Sequence, residues 1–306
     1  MVIFLDQRVV KLEYYNNFIN KYPNHQFVFD EKESFEAEVI ISMGHLFDNH
    51  TFDLYKNLKY IALISAGYDT LDLEYLKKRQ ILVTNAKDVF SIQIAEDVIA
   101  KILYFNKNLK FHMERQQEGN WTFKSQSHEI YGSTIGILGT GSIGQHVAER
   151  LKAFKTKVIG YRRVYDHVPF FDQIHTKEEG LYQLLKESDY VICALPLNEH
   201  TRFLLDAKAL SMMKQDALLI NVARGEIIDQ EALTKALISE QIRGAALDVT
   251  TPEPLPADHI LWTLERCFIT PHNASASPKM HQRIAEEVED TFSRYIQDKT
   301  LDNKII

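Results

Sequence analysis

The stretch Thr134-Ile135-Gly136-Ile137-Leu138-Gly139-Thr140-Gly141-Ser142-Ile143-Gly144 limits what this chain can fold into more than any other. An apolar run of strand length ends in Gly139-x-Gly141-x-x-Gly144, and Ile143, Val147, Leu151 and Phe154 then recur at helical spacing. The pattern predicts a strand, a tight glycine turn and a helix, the context in which such a motif carries a mechanism. Gly139 permits the sharp turn, Gly141 lets the backbone approach a pyrophosphate, and Gly144 lets helix and strand pack closely. The first unpaired N–H groups of the helix then face the anion. A glycine turn without a ligand, or a related domain that binds another nucleotide, is the competing reading of the same residues.

A chain of 306 residues exceeds what one core usually serves, so two domains are expected. From Thr134 onward six strand-like runs occur, at 134–138, 157–161, 190–194, 217–221, 243–247 and 267–270, with helical patterns between them. Six strands with the phosphate turn after the first complete a doubly wound dinucleotide domain. Earlier apolar runs at 2–5, 27–29, 39–42, 60–65 and 81–85 alternate with polar, helix-compatible segments, which implies a second parallel sheet. Ser91 is a candidate N-cap for a long helix through Ile99, Ile102 and Phe105, and no Pro/Gly-rich linker separates the halves. The last helix, from Pro278 to about Asp298, carries Ile284, Val288, Phe292 and Ile296 on one stripe and is expected to return to the first domain. The expected fold class is therefore α/β, with two doubly wound parallel-sheet domains and an active-site cleft between them. The boundaries are 1–96 with 276–306 for the substrate domain and 97–275 for the Rossmann cofactor domain.

Net charge is −7 with no block of like charges, so nothing in the electrostatics calls for nucleic acid or an anionic membrane surface. Cys193 and Cys267 lie in apolar, strand-like runs and read as buried reduced thiols, with no disulfide and no metal site. The apolar run at Val2–Leu5 is too short for a signal peptide, and nothing approaches a membrane span. A cytoplasmic location is expected.

Three segments follow predicted strands in the second half: Asn221-Val222-Ala223-Arg224-Gly225, Asp248 through Glu253-Pro254, and Thr270-Pro271-His272. Ligands of open α/β sheets bind beyond the carboxyl ends of the strands. A guanidinium such as Arg224 grips a carboxylate with two parallel hydrogen bonds and polarises the adjacent carbonyl. A histidine beside a carboxylate, as His272 with Glu253, favours the protonated form that can donate to a developing alkoxide. Singly each residue has an ordinary surface or loop reading; three together at strand ends favour hydride transfer to a 2-oxo acid. Ser65-Ala66-Gly67 follows another strand and offers either free amides for a small anion or a plain turn.

Here the sequence resembles the D-isomer-specific 2-hydroxyacid dehydrogenase family, from about Tyr60 to the last helix. The matching motifs are Gly139 to Gly144, Leu195-Pro196-Leu197 with Thr201, Asn221 to Gly225, Leu247-Asp248-Val249 through Glu253-Pro254, and Pro271-His272. The resemblance implies that Arg224 binds substrate, His272 is the acid/base, Glu253 pairs with it, and Asp248 holds the nicotinamide carboxamide. It also implies cofactor contacts from Gly139, Gly141, Ser142, Ile143, Gly144, Leu195, Pro196, Thr201, Val222 and Ala223, and substrate-carboxylate contacts from Ala66 and Gly67. A flavodoxin-like first domain and a homodimer through the cofactor domain follow from the same likeness. Two positions depart from the family pattern. Lys155 stands where many members have Gly. Tyr161-Arg162-Arg163 stands where NAD-using members carry Asp after the Tyr, 23 residues (162 − 139) after the first glycine. Arginine cannot accept from a ribose diol but can clamp a 2′-phosphate, so NADP(H) is the expected cofactor, with NAD(H) possible. The expected activity is reduction of a small 2-oxo acid such as glyoxylate or hydroxypyruvate. An NAD-dependent D-lactate or D-3-phosphoglycerate dehydrogenase, or a dinucleotide-binding corepressor, is the alternative. Trp262 either caps the substrate pocket, from its own chain or from a dimer partner, or is a core or interface aromatic.

Overall fold

A computed structural model describes residues 1–306. The chain divides into two compact units, residues 1–90 with 276–306, and residues 91–275.

In the first unit, strands β1 (Val2–Leu5), β2 (Gln26–Val28), β3 (Val39–Ser42), β4 (Tyr60–Leu63) and β5 (Leu82–Thr84) alternate with helices α1 (Asn16–Lys21), α2 (Asn49–Leu54) and α3 (Leu73–Lys78). All pairings are parallel and the order is β2-β1-β3-β4-β5, the flavodoxin-like doubly wound order. β3 and β4 are buried along their whole length, which is why their sequences run apolar without alternation. The helix after β4 starts at Leu73, capped by Asp72, whose carboxylate accepts the Tyr75 N–H.

The second unit runs through α4 (Ser91–Asn106), α5 (Leu109–Gln117), β6 (Thr134–Leu138), α6 (Ser142–Lys152), β7 (Lys157–Tyr161), β8 (Gln173–His175), α7 (Lys177–Glu187), β9 (Tyr190–Cys193), α8 (Ala207–Ser211), β10 (Leu218–Asn221), α9 (Gln230–Ile238), β11 (Gly244–Leu247) and β12 (Cys267–Ile269). Its sheet has seven strands, not six, in the order β12-β11-β10-β9-β6-β7-β8. The unforeseen β8 is three residues of mixed polarity at the sheet edge, held by backbone pairing of Ile159 with Gln173 and Tyr161 with His175. Ser91 is the first residue of α4 itself, so the expected boundary at residue 96 falls inside this helix. Lys155, at the family's Gly position, has φ +55°, the left-handed conformation that ends the turn after α6.

Helix α10 (Met280–Ile296) belongs to the first unit. Ile284, Val288 and Phe292 are buried, whereas Ile296, at the helix end, is exposed and leaves the stripe one residue short. Phe292 meets Phe18 edge-on at 5.2 Å and Tyr22 at 5.0 Å. Such pairs contribute about 0.5–1.5 kcal/mol each beyond area burial. The tail then returns to β5: Ile305 N–H donates to Val83 O, and Asn303 Nδ2 donates to Asn85 O.

Candidate active site

The second unit's sheet brings its loops to one edge by register. Tyr161, Leu138, Cys193, Asn221, Leu247 and Ile269 are successive cross-strand partners, each at or next to the carboxyl end of its strand. Every loop with a predicted second-unit site residue leaves from that row.

At the β6–α6 turn Gly139 has φ +102°, and its N–H donates to Tyr161 O. A Cβ on Gly139 would lie 2.5 Å from Ala194 O, and one on Gly144 would lie 2.0 Å from Gly139 O. A Cβ on Gly141 would meet no atom within 4 Å. The turn is thus closed by its own backbone on two sides and open at Gly141, where the first-turn amides of α6 have no partner within the helix. Ser142 and Ile143 are partly exposed there, and the Ser142 hydroxyl lies 2.8 Å from that of Ser91 on α4. A dinucleotide pyrophosphate fits this cradle.

Beyond β7, the Arg162 N–H donates to His175 O, which ties the loop to β8. Its guanidinium Nη1 donates to Asp166 Oδ2 at 3.2 Å; that carboxylate is 67% exposed. Arg163 is exposed. After β9, the Thr201 hydroxyl donates to Pro196 O and accepts the Asn198 N–H, so it organises the loop that carries Leu195 and Pro196.

The loop after β10 is set by buried Asn221, whose Oδ1 accepts the Ala223 N–H while its Nδ2 donates to Arg224 O. Val222 and Ala223 are buried, and Arg224 is half-buried with Nη1 donating to Ala223 O. Gly225 packs so tightly under the next loop that a Cβ there would lie 2.1 Å from Thr250 O. Gln230 clamps that loop in turn, donating to Thr251 O and accepting the Thr251 N–H. The peptides Thr251–Pro252 and Glu253–Pro254 are both cis.

His272 Nδ1 lies 2.9 Å from Glu253 Oε2, both side chains being exposed. Glu253 Oε1 accepts the Thr250 N–H. This leaves His272 Nε2 as the ring nitrogen not engaged by Glu253. His272 has φ +51°, held by its N–H donating to Asp248 O at 2.7 Å. Asp248 is buried, and its carboxylate accepts the Thr270 hydroxyl and the Asn273 N–H at Oδ1 and the Ala274 N–H at Oδ2. Asp248 therefore holds the histidine loop, a role absent from its motif reading. Asn221 and Gln230 were likewise not singled out in the sequence, although an Asn two residues before a turn amide is a recognisable turn signal.

In the first unit, Ala66 and Gly67 follow β4 and are partly exposed, their carbonyls accepting from Asn85 Nδ2 and the Ser65 hydroxyl. Trp262 is 47% exposed and its indole N–H donates to Pro256 O, so it is not a core aromatic of this chain. Both cysteines are free, and burial pushes each thiol up to about 12. No helix is long and apolar enough to cross a membrane.

Fold and site together define an α/β dinucleotide-dependent oxidoreductase with two doubly wound parallel sheets. Residues 99–274 match the D-isomer specific 2-hydroxyacid dehydrogenase, NAD binding domain, family, and the chain belongs to that family. It is 33% identical over 262 residues to the glyoxylate reductase of Pyrococcus furiosus, covering 83% of this chain and 77% of that one. Among solved structures, an acyclic imino acid reductase in complex with NADPH and D-Arg superposes with a TM-score of 0.88 at 29% identity, covering 100% of both chains. D-Lactate dehydrogenase from Aquifex aeolicus, complexed with NAD and lactic acid, gives 0.79 at 28% identity over 97% of this chain and 96% of that one.

Proposed function

We propose that this chain is an NADP(H)-preferring reductase of small 2-oxo acids, of the glyoxylate or hydroxypyruvate type. The observation that supports it most is the row of strand ends from which Arg224, Glu253 and His272 leave, with His272 Nδ1 2.9 Å from Glu253 Oε2. Bound NADPH supplies the hydride. Arg224 grips the substrate carboxylate through its planar fork and polarises the 2-oxo group. Glu253 orients the ring of His272, so Nε2 can give a proton to the oxygen as negative charge develops there. Ala66 and Gly67 contribute amides to the carboxylate. Asp248 Oδ2 is the acceptor for the nicotinamide carboxamide, and Leu195, Pro196, Val222 and Ala223 line the cofactor. Arg162 and Arg163 meet the 2′-phosphate.

A panel of 2-oxo acids assayed with NADPH and with NADH tests the reading, each acid being offered with and without ammonia or an amine. The amine arm is included because one similar structure is that of an imino acid reductase. Turnover of glyoxylate or hydroxypyruvate with NADPH and no amine is expected; turnover only when an amine is present would replace 2-oxo acids by imino acids. One observation favours a second reading, use of NADH: Asp166 already occupies Arg162, so the end of β7 is not wholly cationic. A cytoplasmic homodimer joined through the second unit completes the proposal. The exposed side chains of Trp121, Phe123 and Tyr131 in that unit are the apolar surface such a contact would cover, and light scattering on the purified chain should give twice the monomer mass.

A further inference from the structure

Lys101 lies in the middle of α4 and is only 1% exposed. A lysine so deeply buried is rare unless its charge is met. Two carboxylates meet it: Asp97, one turn earlier on the same helix, and Asp248 Oδ1 at 3.7 Å. A buried ion pair seldom stabilises a fold more than a well-packed apolar side chain would. Something other than stability therefore has to account for a cation at this buried point, between Val98 and Ile102. The Asp248 N–H donates to Asn221 O, and its other hydrogen bonds all lead to the histidine loop: the Thr270 hydroxyl, the amides of Asn273 and Ala274, and the His272 N–H on its own carbonyl.

We propose that Lys101 is a positioning residue for His272, acting through Asp248. Its ammonium supplies the compensating charge that lets a buried carboxylate gather the loop 270–274, and that gathered loop holds His272 at positive φ facing Glu253. Asp97 balances the remaining charge of the ammonium. Burial raises the proton affinity of Asp97, Lys101 opposes that effect, and Asp248 adds to it, as one shared cation between two acids requires. The consequence of this assignment for catalysis rests on the proposed role of His272; the consequence for the loop does not.

Lys101→Met removes the charge at similar length. Because it also strands Asp97, the double variant Lys101→Met/Asp97→Asn is made beside it; the double removes the helix pair as a neutral unit and leaves Asp248 without its cation. Hydrogen exchange at the amides of Asn273 and Ala274 should quicken on the order of tenfold or more in both variants, with exchange in β6 and β9 unchanged. With the best 2-oxo acid, kcat should fall roughly 10–100-fold, the scale of a misplaced catalytic group. KM should stay within about threefold, since Arg224 is fixed by Asn221 and not by Asp248. Lys101→Arg, which keeps the charge, should recover part of kcat. The proposal is overturned if the double variant keeps parental exchange at 273–274, or if exchange and kcat change only in step with a general loss of Tm. If His272→Ala turns over normally, the acid/base reading fails while the exchange result still decides whether Lys101 holds the loop.

Discussion

Cofactor choice turns on one ion pair that NADPH would have to break. Arg162 Nη1 lies 3.2 Å from Asp166 Oδ2, with side chains 32% and 67% exposed. Exposed pairs of this kind contribute about 0.2–1 kcal/mol. Against that cost, hydrogen bonds from a guanidinium to a phosphate contribute about 1.5–3 kcal/mol each before solvent screening. For Arg162 and exposed Arg163 together, after screening and after the Asp166 pair is lost, about 1.4–4 kcal/mol should remain, an expected 10–10³-fold preference for NADPH. Asp166→Asn should tighten NADPH by roughly 1.4–5-fold, the worth of the broken pair, and leave NADH nearly unchanged. Arg162→Asp should reverse or erase the preference, because it repels the 2′-phosphate and restores an acceptor for a ribose diol. The assay is kcat/KM for both cofactors at two ionic strengths, and the NADPH advantage should shrink as salt rises. A parent enzyme with higher kcat/KM for NADH, or an Asp166→Asn variant with weaker NADPH binding, would refute the reasoning.

Gly141→Ala should fold with parental Tm and lose cofactor affinity, since its Cβ would meet nothing within 4 Å in the protein and would stand at the side of the turn left open for the pyrophosphate; Gly144→Ala should instead lose stability, because its Cβ falls 2.0 Å from Gly139 O. Calorimetry and cofactor titration separate the two outcomes. His272→Ala should lower kcat by roughly 10²–10⁴-fold with cofactor affinity nearly unchanged, and Glu253→Gln should lower kcat less, by loosening the orientation of the His272 ring; an unimpaired His272→Ala enzyme removes the acid/base assignment. Arg224→Lys keeps the charge but loses the fork, so both KM and kcat should worsen; equal reduction by the parent of 2-oxo acids and of aldehydes lacking the carboxylate would contradict its role. In the first unit, burial would raise the proton affinity of the Asp6 carboxyl, but donors from Arg8 and Ser42 outweigh it and hold the group below its ordinary 3.8. Its contribution is therefore full above pH 3.8 and is lost as pH falls through the lower folded value. Asp6→Asn should cost about 1–3 kcal/mol at neutral pH and flatten the acid limb of a Tm-against-pH curve.

What was legible in the sequence follows the range of the forces involved. β6, β9, β10 and β11 are buried on both faces, so their apolar runs named them directly. β8 was not legible because an edge strand of three residues is defined by its partner β7 and not by its own polarity. The glycine turn was legible because close backbone approach excludes every side chain at Gly139 and Gly144. Arg162 could be found by counting from that turn. Asp166, its partner, is an exposed loop acid with nothing local to mark it.

Asp248 shows most clearly where a motif stops being informative. A carboxylate has about four lone-pair sites, and the motif speaks to one of them, an acceptor for a carboxamide. The structure fills two sites on Oδ1, from the Thr270 hydroxyl and the Asn273 amide, and sets Lys101 3.7 Å from the same oxygen. On Oδ2 only the Ala274 amide donates, so that oxygen retains capacity for a cofactor N–H. The proposed cofactor contact would be compatible with holding the loop, because Oδ2 carries one loop donor where Oδ1 carries two and the neighbouring cation. Nothing in the residues 247–254 encodes that division, since the donors come from residues 22 to 26 positions further along and the cation from the middle of α4. The signal that was present is Lys101 itself: a charge inside a helical stretch whose neighbours Val98 and Ile102 are both fully buried has to be answered by an acid in the core.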